Sequence, residues 1–211
     1  MWDMYLPKLF QIEDAALLGA FIRKYPFATV VGILHGQSEI NHLPLMLSED
    51  GTHLHGHIAK TNPIAQIASQ GEPELTAIFH GPHGYITPSW YPSKKETGKV
   101  VPTWNYAVVH AHGQLKLMND PVWLLDHVSA MTNLHEPTYQ STWKVSDAPE
   151  EYIRMMLNSI VGIEISVTRL TGKFKLSQNR PAEDYAGVVA HLEQSPDQIL
   201  QEMLSYMSNQ K

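Results

Sequence analysis

The chain has 211 residues, 43% of them hydrophobic, which is ample for one large domain, or a domain with an appendage, around a real core. It has no cysteine, so disulfides, thiolate nucleophiles, cysteine-bound zinc and iron–sulfur clusters are all removed. A formal net charge of −6 with no dense Lys/Arg cluster leaves DNA a partner that charge does not support.

Residues 1–7 lack a basic segment followed by an apolar run, so no secretory signal is expected. No apolar stretch approaches the ~20 residues that cross a bilayer. The expectation is a soluble, cytoplasmic protein with no membrane partner.

In chain order, residues 13–25 predict a helix with Ala16, Leu17, Phe21 and Ile22 on one side, stopped by Pro26. Short β-like runs follow at 28–34, 39–47 and 52–58, separated by hairpin signals at Gly36-Gln37 and Glu49-Asp50-Gly51. A short helix is predicted over 62–69. Extended runs are expected at 75–80 and 85–87, and a long strand over 106–117. Helices are expected at 121–133 and 148–157, and a strand within 160–175 carries Ile163, Ile165 and Val167 on one face. Two helices close the chain, at 181–193 and 196–207. The second would start on an N-cap Ser195, with Pro196 at its first position and Gln198 in a capping box. Meander-like strands with few helices argue for an antiparallel barrel with peripheral helices rather than a parallel sheet. The final helical pair reads as a small appendage.

The segment Gly56-His57-Ile58-Ala59-Lys60-Thr61-Asn62-Pro63 reads as a strand that ends, presents one lysine in a turn, and enters a helix. Asn62 suits the N-cap and Pro63 the first helical position. The amides of Ile64 and Ala65 are then expected to point outward, and with the Lys60 cation they make a site for a phosphate or other anion. The plain alternative is a surface lysine in an ordinary connection.

His53, His55 and His57 alternate and share one strand face, as do His110 and His112. Neutral imidazole binds zinc, nickel or haem iron. Three histidines spread over about 14 Å of straight strand cannot reach one ion without outside partners. Partly buried structural or cofactor-facing histidines are therefore expected, with no metal site. His57, at the strand end beside Lys60, is the one placed to line the same pocket.

Pro44, within Asn41-His42-Leu43-Pro44-Leu45-Met46, cannot donate to a ladder, so it marks an edge, a bulge, or a place where a flat ligand meets exposed main chain. Residues 87–103 form a connection too long for a simple link, and it carries Trp90 and Tyr91, with Trp104 just beyond. These rings suit a planar ligand, a subunit contact, or a loop packed on its own aromatics. Lys175-Leu176-Ser177-Gln178-Asn179-Arg180-Pro181 repeats the strand-to-helix logic of the Lys60 segment. It offers a second anion contact, from this or another subunit; the plain alternative is capping. No GxSxG, Walker or GxGxxG pattern is present, and no catalytic residue stands out.

Together with Pro88-Ser89-Trp90-Tyr91, Val101-Pro102-Thr103-Trp104-Asn105-Tyr106 and Val109-His110-Ala111-His112-Gly113, these motifs resemble the PaiB family in order over nearly the whole chain. Its members are described as FMN-binding negative transcriptional regulators. They belong to the FMN-binding split barrels, with pyridoxamine-phosphate oxidases and flavin reductases. The resemblance implies a mainly β protein with peripheral helices (α+β): an antiparallel split β-barrel over residues 1–177 and a C-terminal helical extension over 178–211. It implies a homodimer with FMN at the subunit interface. Asn41, His42, Leu43 and Pro44 would lie along the isoalloxazine edge, and Gly56, His57, Ala59, Lys60 and Asn62 would hold the ribityl and phosphate groups. Trp104 would sit near the ring or the dimer partner, and Lys175 and Gln178 would add the second contact.

The resemblance says transcription, yet the sequence has no defensible helix-turn-helix and no basic face. Two alternatives stay open: an FMN-dependent oxidoreductase, whose flavin would carry the chemistry with few side chains, and a histidine-mediated metal or haem protein.

Overall fold

Local chemistry accounts for where each element begins and ends. The computed structural model describes residues 4–69, 71 and 73–207; the signal-peptide reading falls partly on residues 1–3, which lie outside them. A short β1 (Gln11–Ile12) precedes α1 (Ala15–Lys24). Asp14 caps α1, its Oδ1 accepting from the amides of Ala16 and Leu17 at 2.9 and 3.1 Å. The buried stripe of α1 is Leu18, Phe21 and Ile22; Ala16 is exposed and Leu17 half-buried, which shifts the expected face by about one residue.

β2 (Phe27–Leu34) and β3 (Gln37–Pro44) form a hairpin in register from Phe27↔Pro44 to Leu34↔Gln37. Its two-residue turn is His35-Gly36, one position earlier than expected. Both residues have positive φ (51° and 79°), which is what a type I′ turn requires. The chain then breaks at Leu45, whose amide donates to the Pro26 carbonyl at 2.9 Å. The expected 39–47 run is thereby divided into β3 and β4 (Met46–Leu47). β5 (His53–Ala59) leads into α2 (Pro63–Ser69). β6 (Glu74–Ile86) is one strand through Gly81-Pro82, where the sequence suggested a break. After α3 (Lys94–Thr97) come β7 (Thr103–Met118), α4 (Pro121–His135), α5 (Glu150–Ser159) and β8 (Ile160–Lys175). Asp120 caps α4 through the Val122 amide at 3.0 Å. α6 (Ala182–Glu193) and α7 (Gln198–Met207) close the described chain. Asp197, rather than Ser195, caps α7, accepting from the Ile199 amide at 2.8 Å.

The architecture is α+β, as expected. The eight strands form one antiparallel sheet in the order β3-β2-β6-β7-β8-β5-β4, with β1 beside β8. β3 is thus a terminal strand, which is where a proline such as Pro44 is tolerated.

The described residues form two compact units. One gathers Ile22–Phe79 and His110–Leu170. Its core comes from strict alternation: Ala28 and Val30 on β2, Leu54 and Ile58 on β5, and Ile163 and Ile165 on β8 are all buried. Each of the Val, Leu and Ile side chains among them contributes roughly 1.5–3 kcal/mol of burial. β5 runs antiparallel to β8 from His53↔Ser166 to Ala59↔Ile160.

The other unit gathers the described parts of Met1–Phe21, His80–Val109 and Thr171–Lys211. At its centre Phe21, Phe174 and Tyr206 pack ring against ring, with centroids 5.2–5.6 Å apart. α6 holds the 88–93 segment. Buried Asp184 accepts from the Ser93 amide (3.1 Å) and hydroxyl (2.8 Å), and His191 stacks on Trp90 at 5.2 Å. Gly187 is required there, since a Cβ would fall 2.2 Å from the Trp90 carbonyl oxygen.

Candidate functional site

The Lys60 turn is built as a hydrogen-bonded chain. Asn62 Oδ1 accepts from the Ile64 amide at 2.9 Å, the N-cap bond expected of it. Its Nδ2 donates to Asn41 Oδ1 at 2.7 Å, and Asn41 Nδ2 donates to Glu39 Oε1 at 3.0 Å. This fixes the turn after β5 to the middle of β3, so two segments recognised separately in the sequence meet through one side-chain bond. The expected outward amides are not available. That of Ile64 is taken by Asn62 Oδ1, and that of Ala65 donates to the Asn62 carbonyl at 2.9 Å. The Lys60 amide donates to the Ser159 carbonyl at 3.0 Å. What the turn offers an anion is the exposed Lys60 ammonium, which has no hydrogen-bond or ion-pair partner among the described residues.

The other candidates of this unit fall into distinct environments. His42 is exposed, with Nδ1 3.2 Å from Thr29 Oγ1 and its ring stacked on Phe27. Leu43 is buried and Pro44 half-buried. Gly56 is buried, and a Cβ there would come within 2.7 Å of Leu45 Cδ2. Ala59 is exposed.

His53, His55 and His57 do share one face of β5, alternating with buried Leu54, Gly56 and Ile58. His55 Nε2 lies 3.1 Å from Glu164 Oε2, its cross-strand neighbour. Over this face lies α4. Trp123 stacks on His127 (5.2 Å, 12°), and His127 meets His57 edge-on at 5.4 Å. Burial pushes the His57 pKa below its usual value. Burial, then the proximity of His57 and His55, brings His127 down to about 4, so both rings are neutral at pH 7. The sequence reading missed Trp123 and His127; their i, i+4 spacing on a helix was the available signal. Among the described residues no group of three or more His, Asp and Glu side chains is placed to hold a metal ion.

Trp104, Lys175 and Gln178 come together in the other unit. Trp104 is half exposed; its Nε1 donates to His83 Nδ1 at 3.3 Å and its ring stacks on that histidine. Lys175 Nζ donates to the Trp104 carbonyl at 2.7 Å and to Thr103 Oγ1. Burial, with Arg180 and Lys173 nearby, holds its pKa below the usual lysine value. Gln178 closes its own turn: Oε1 accepts from the Leu176 amide and Nε2 donates to the Phe174 carbonyl, both at 2.6 Å.

Residues 4–169 match the family model described as "Putative FMN-binding domain". The protease synthase and sporulation protein PAI 2 of Bacillus subtilis is 30% identical, over 98% of this chain and 97% of its own. The chain belongs to the PaiB-type FMN-binding domain family. An uncharacterized protein of Emericella nidulans is 33% identical over 90% of each chain. Among solved structures, the flavocytochrome Anf3 from Azotobacter vinelandii superposes with a TM-score of 0.63 at 12% identity, covering 88% of this chain and 78% of that one. The fold is therefore the antiparallel split barrel that the resemblance implied, and the family's cofactor is FMN.

Proposed function

We propose that the protein is a PaiB-type flavoprotein that holds FMN with Lys60 on the phosphate and acts as a negative regulator of transcription, as a homodimer. The observation that carries this reading is the exposed Lys60 ammonium, without a partner among the described residues, beside the Asn62–Asn41 bond, which ties the phosphate end of the candidate site to the strand expected along the flavin edge. The residues fit the cofactor through side chains rather than helix amides, because the Ile64 and Ala65 amides are already used. On this reading Asn41 to Pro44 face the isoalloxazine, Gly56, His57 and Ala59 follow the ribityl chain, and Trp104 contributes from a second subunit; Lys175 and Gln178, whose polar atoms are already used within their own segment, brace it there rather than touch the phosphate. Bound FMN supplies hydride and single-electron chemistry; the chain's own work is to bind and orient it.

The dimer reading draws on Phe27, Ile33 and Ile40, large apolar side chains exposed at 63%, 59% and 56% on the β2–β3 hairpin. Sedimentation at several concentrations tests it. Regulation draws on the kinship with PAI 2. Direct contact with DNA is not needed: α7, the helix of a suitable length, contains no Lys or Arg and buries Met203, Tyr206 and Met207. That same lack of cations favours the second reading, an FMN-dependent oxidoreductase. Flavin titration of wild type and Lys60→Ala tests the common core. Gel shifts across a salt series and NAD(P)H oxidation with added FMN separate regulator from enzyme.

A further inference from the structure

In the His57 unit α5 departs from ordinary packing. It has ten residues, none of them buried, although Tyr152, Ile153, Met155, Met156 and Leu157 are apolar. Tyr152, Met155 and Met156 are 45–59% exposed. A helix of this composition normally presses such a face into a core. Here part of it borders a cavity of about 480 Å³, walled by α4, α5 and the 136–148 segment between them. The cavity reaches down to the sheet, where His57 lines it. Val128 and Met131 come from α4, Trp143 from the connection, and Tyr152 and Met156 from α5.

We propose that this cavity is a small-molecule site separate from the flavin, taking an uncharged, flat, largely apolar ligand with one hydrogen-bonding group directed at His57.

The volume lies within the range of small-molecule pockets, roughly 300–1,000 Å³, and the lining matches their usual make-up of apolar and aromatic walls with a few polar groups. His57 supplies the polar anchor. Among the described residues its Nδ1 is buried without a hydrogen-bond partner, as is Nε2 of the adjoining His127. Nδ1 is itself enclosed, so a ligand reaches the imidazole through the part of the ring that lines the cavity, and a hydrogen bond made there adds direction to the apolar burial. The ligand is uncharged because apolar walls penalise an ion and because Glu136 at the lining repels an anion. A small molecule fits better than a peptide helix, since the polar anchor lies beneath the helices at strand level. Lys60, Asn41 and Asn62 do not line the cavity; His57 is the one residue shared with the flavin reading, and competition between the probe and FMN separates the two.

The test uses the full chain and N-phenyl-1-naphthylamine, a neutral aromatic probe with one N–H donor whose fluorescence rises in apolar surroundings. One saturable site per chain is expected, with a shift in Trp143 emission. Thr132→Trp and Met131→Trp, which fill the cavity from α4, should each weaken the probe by at least about tenfold while the circular dichroism spectrum stays native. If one variant fails to fold, the other carries the measurement. His57→Phe should weaken N-phenyl-1-naphthylamine severalfold but leave naphthalene, which has no polar atom, unaffected. No saturable site, or equal binding by the filled variants, overturns the proposal. So does displacement of the probe by FMN at the concentration that saturates the flavin, because the cavity would then be the flavin's own. So does a Met156→Glu variant that dissociates a dimer, because a second copy would then be the occupant.

Discussion

The turns at Lys60 and Lys175 look alike in sequence and behave as opposites in the structure. Each is a strand end, a lysine, an amide-bearing capping residue and a proline at a helix start. At the first, the polar atoms of Asn62 brace the turn and the lysine is left over: exposed, with no partner among the described residues. At the second, the lysine is spent on Thr103 and the Trp104 carbonyl, while Gln178 braces the turn from within. A cation near a helix start is thus not by itself an anion site. What separates the two is whether the neighbouring strand offers the ammonium an acceptor.

The comparison is sharpened or broken by substitution. The largest effect is expected at Gly187→Ala, where a Cβ would strike the Trp90 carbonyl near the second turn. A loss of about 3 kcal/mol is expected, lowering the thermal midpoint by roughly 6–12 °C, while FMN affinity per folded molecule is retained. Next, Lys60→Ala should weaken FMN by about 1.5–3 kcal/mol, roughly 10- to 150-fold by fluorescence titration, with no change in midpoint. Lys175→Met should do the reverse, lowering the midpoint more than the affinity. If it costs as much affinity as Lys60→Ala, the contrast between the turns fails. Asn62→Ala removes a cap worth ~1 kcal/mol and frees Asn41, so urea stability and FMN affinity should both fall modestly.

The gentlest perturbation is pH. His57 and His127 have pKa values lowered by folding, so the unfolded chain takes up protons first as pH falls through 6.5. Stability should be full above that value and decline toward pH 4. The urea midpoint should show this slope, and His127→Phe should flatten it.

Much of this was legible in the sequence because it depends on local periodicity. A strand was expected within 160–175, and β8 fills the whole of that span; the shared face of His53, His55 and His57 follows from alternation alone. Other features depend on partners far along the chain. Gly81-Pro82 looks like a turn, yet β6 runs through it, since a proline removes a donor without ending an extended backbone. Ser195 was the expected cap of α7, yet Asp197, on the other side of Pro196, takes that role, its carboxylate accepting the Ile199 amide. Asn62 was readable as a cap, but its second bond, to Asn41, joins residues 21 positions apart. Trp123 and His127 meet His57 only because α4 crosses β5, which no local pattern specifies.

The two compact units are stitched from separated stretches of chain, three for one and two for the other. A ribosome that has delivered the first 110 residues has completed neither, and the stretch from Thr171 onward must emerge before Phe21 can meet Phe174 and Tyr206. Such long-range closure makes folding slow and late. Cutting the gene at its midpoint would yield two fragments that each expose half-built sheet, and would recover function only if both were made together.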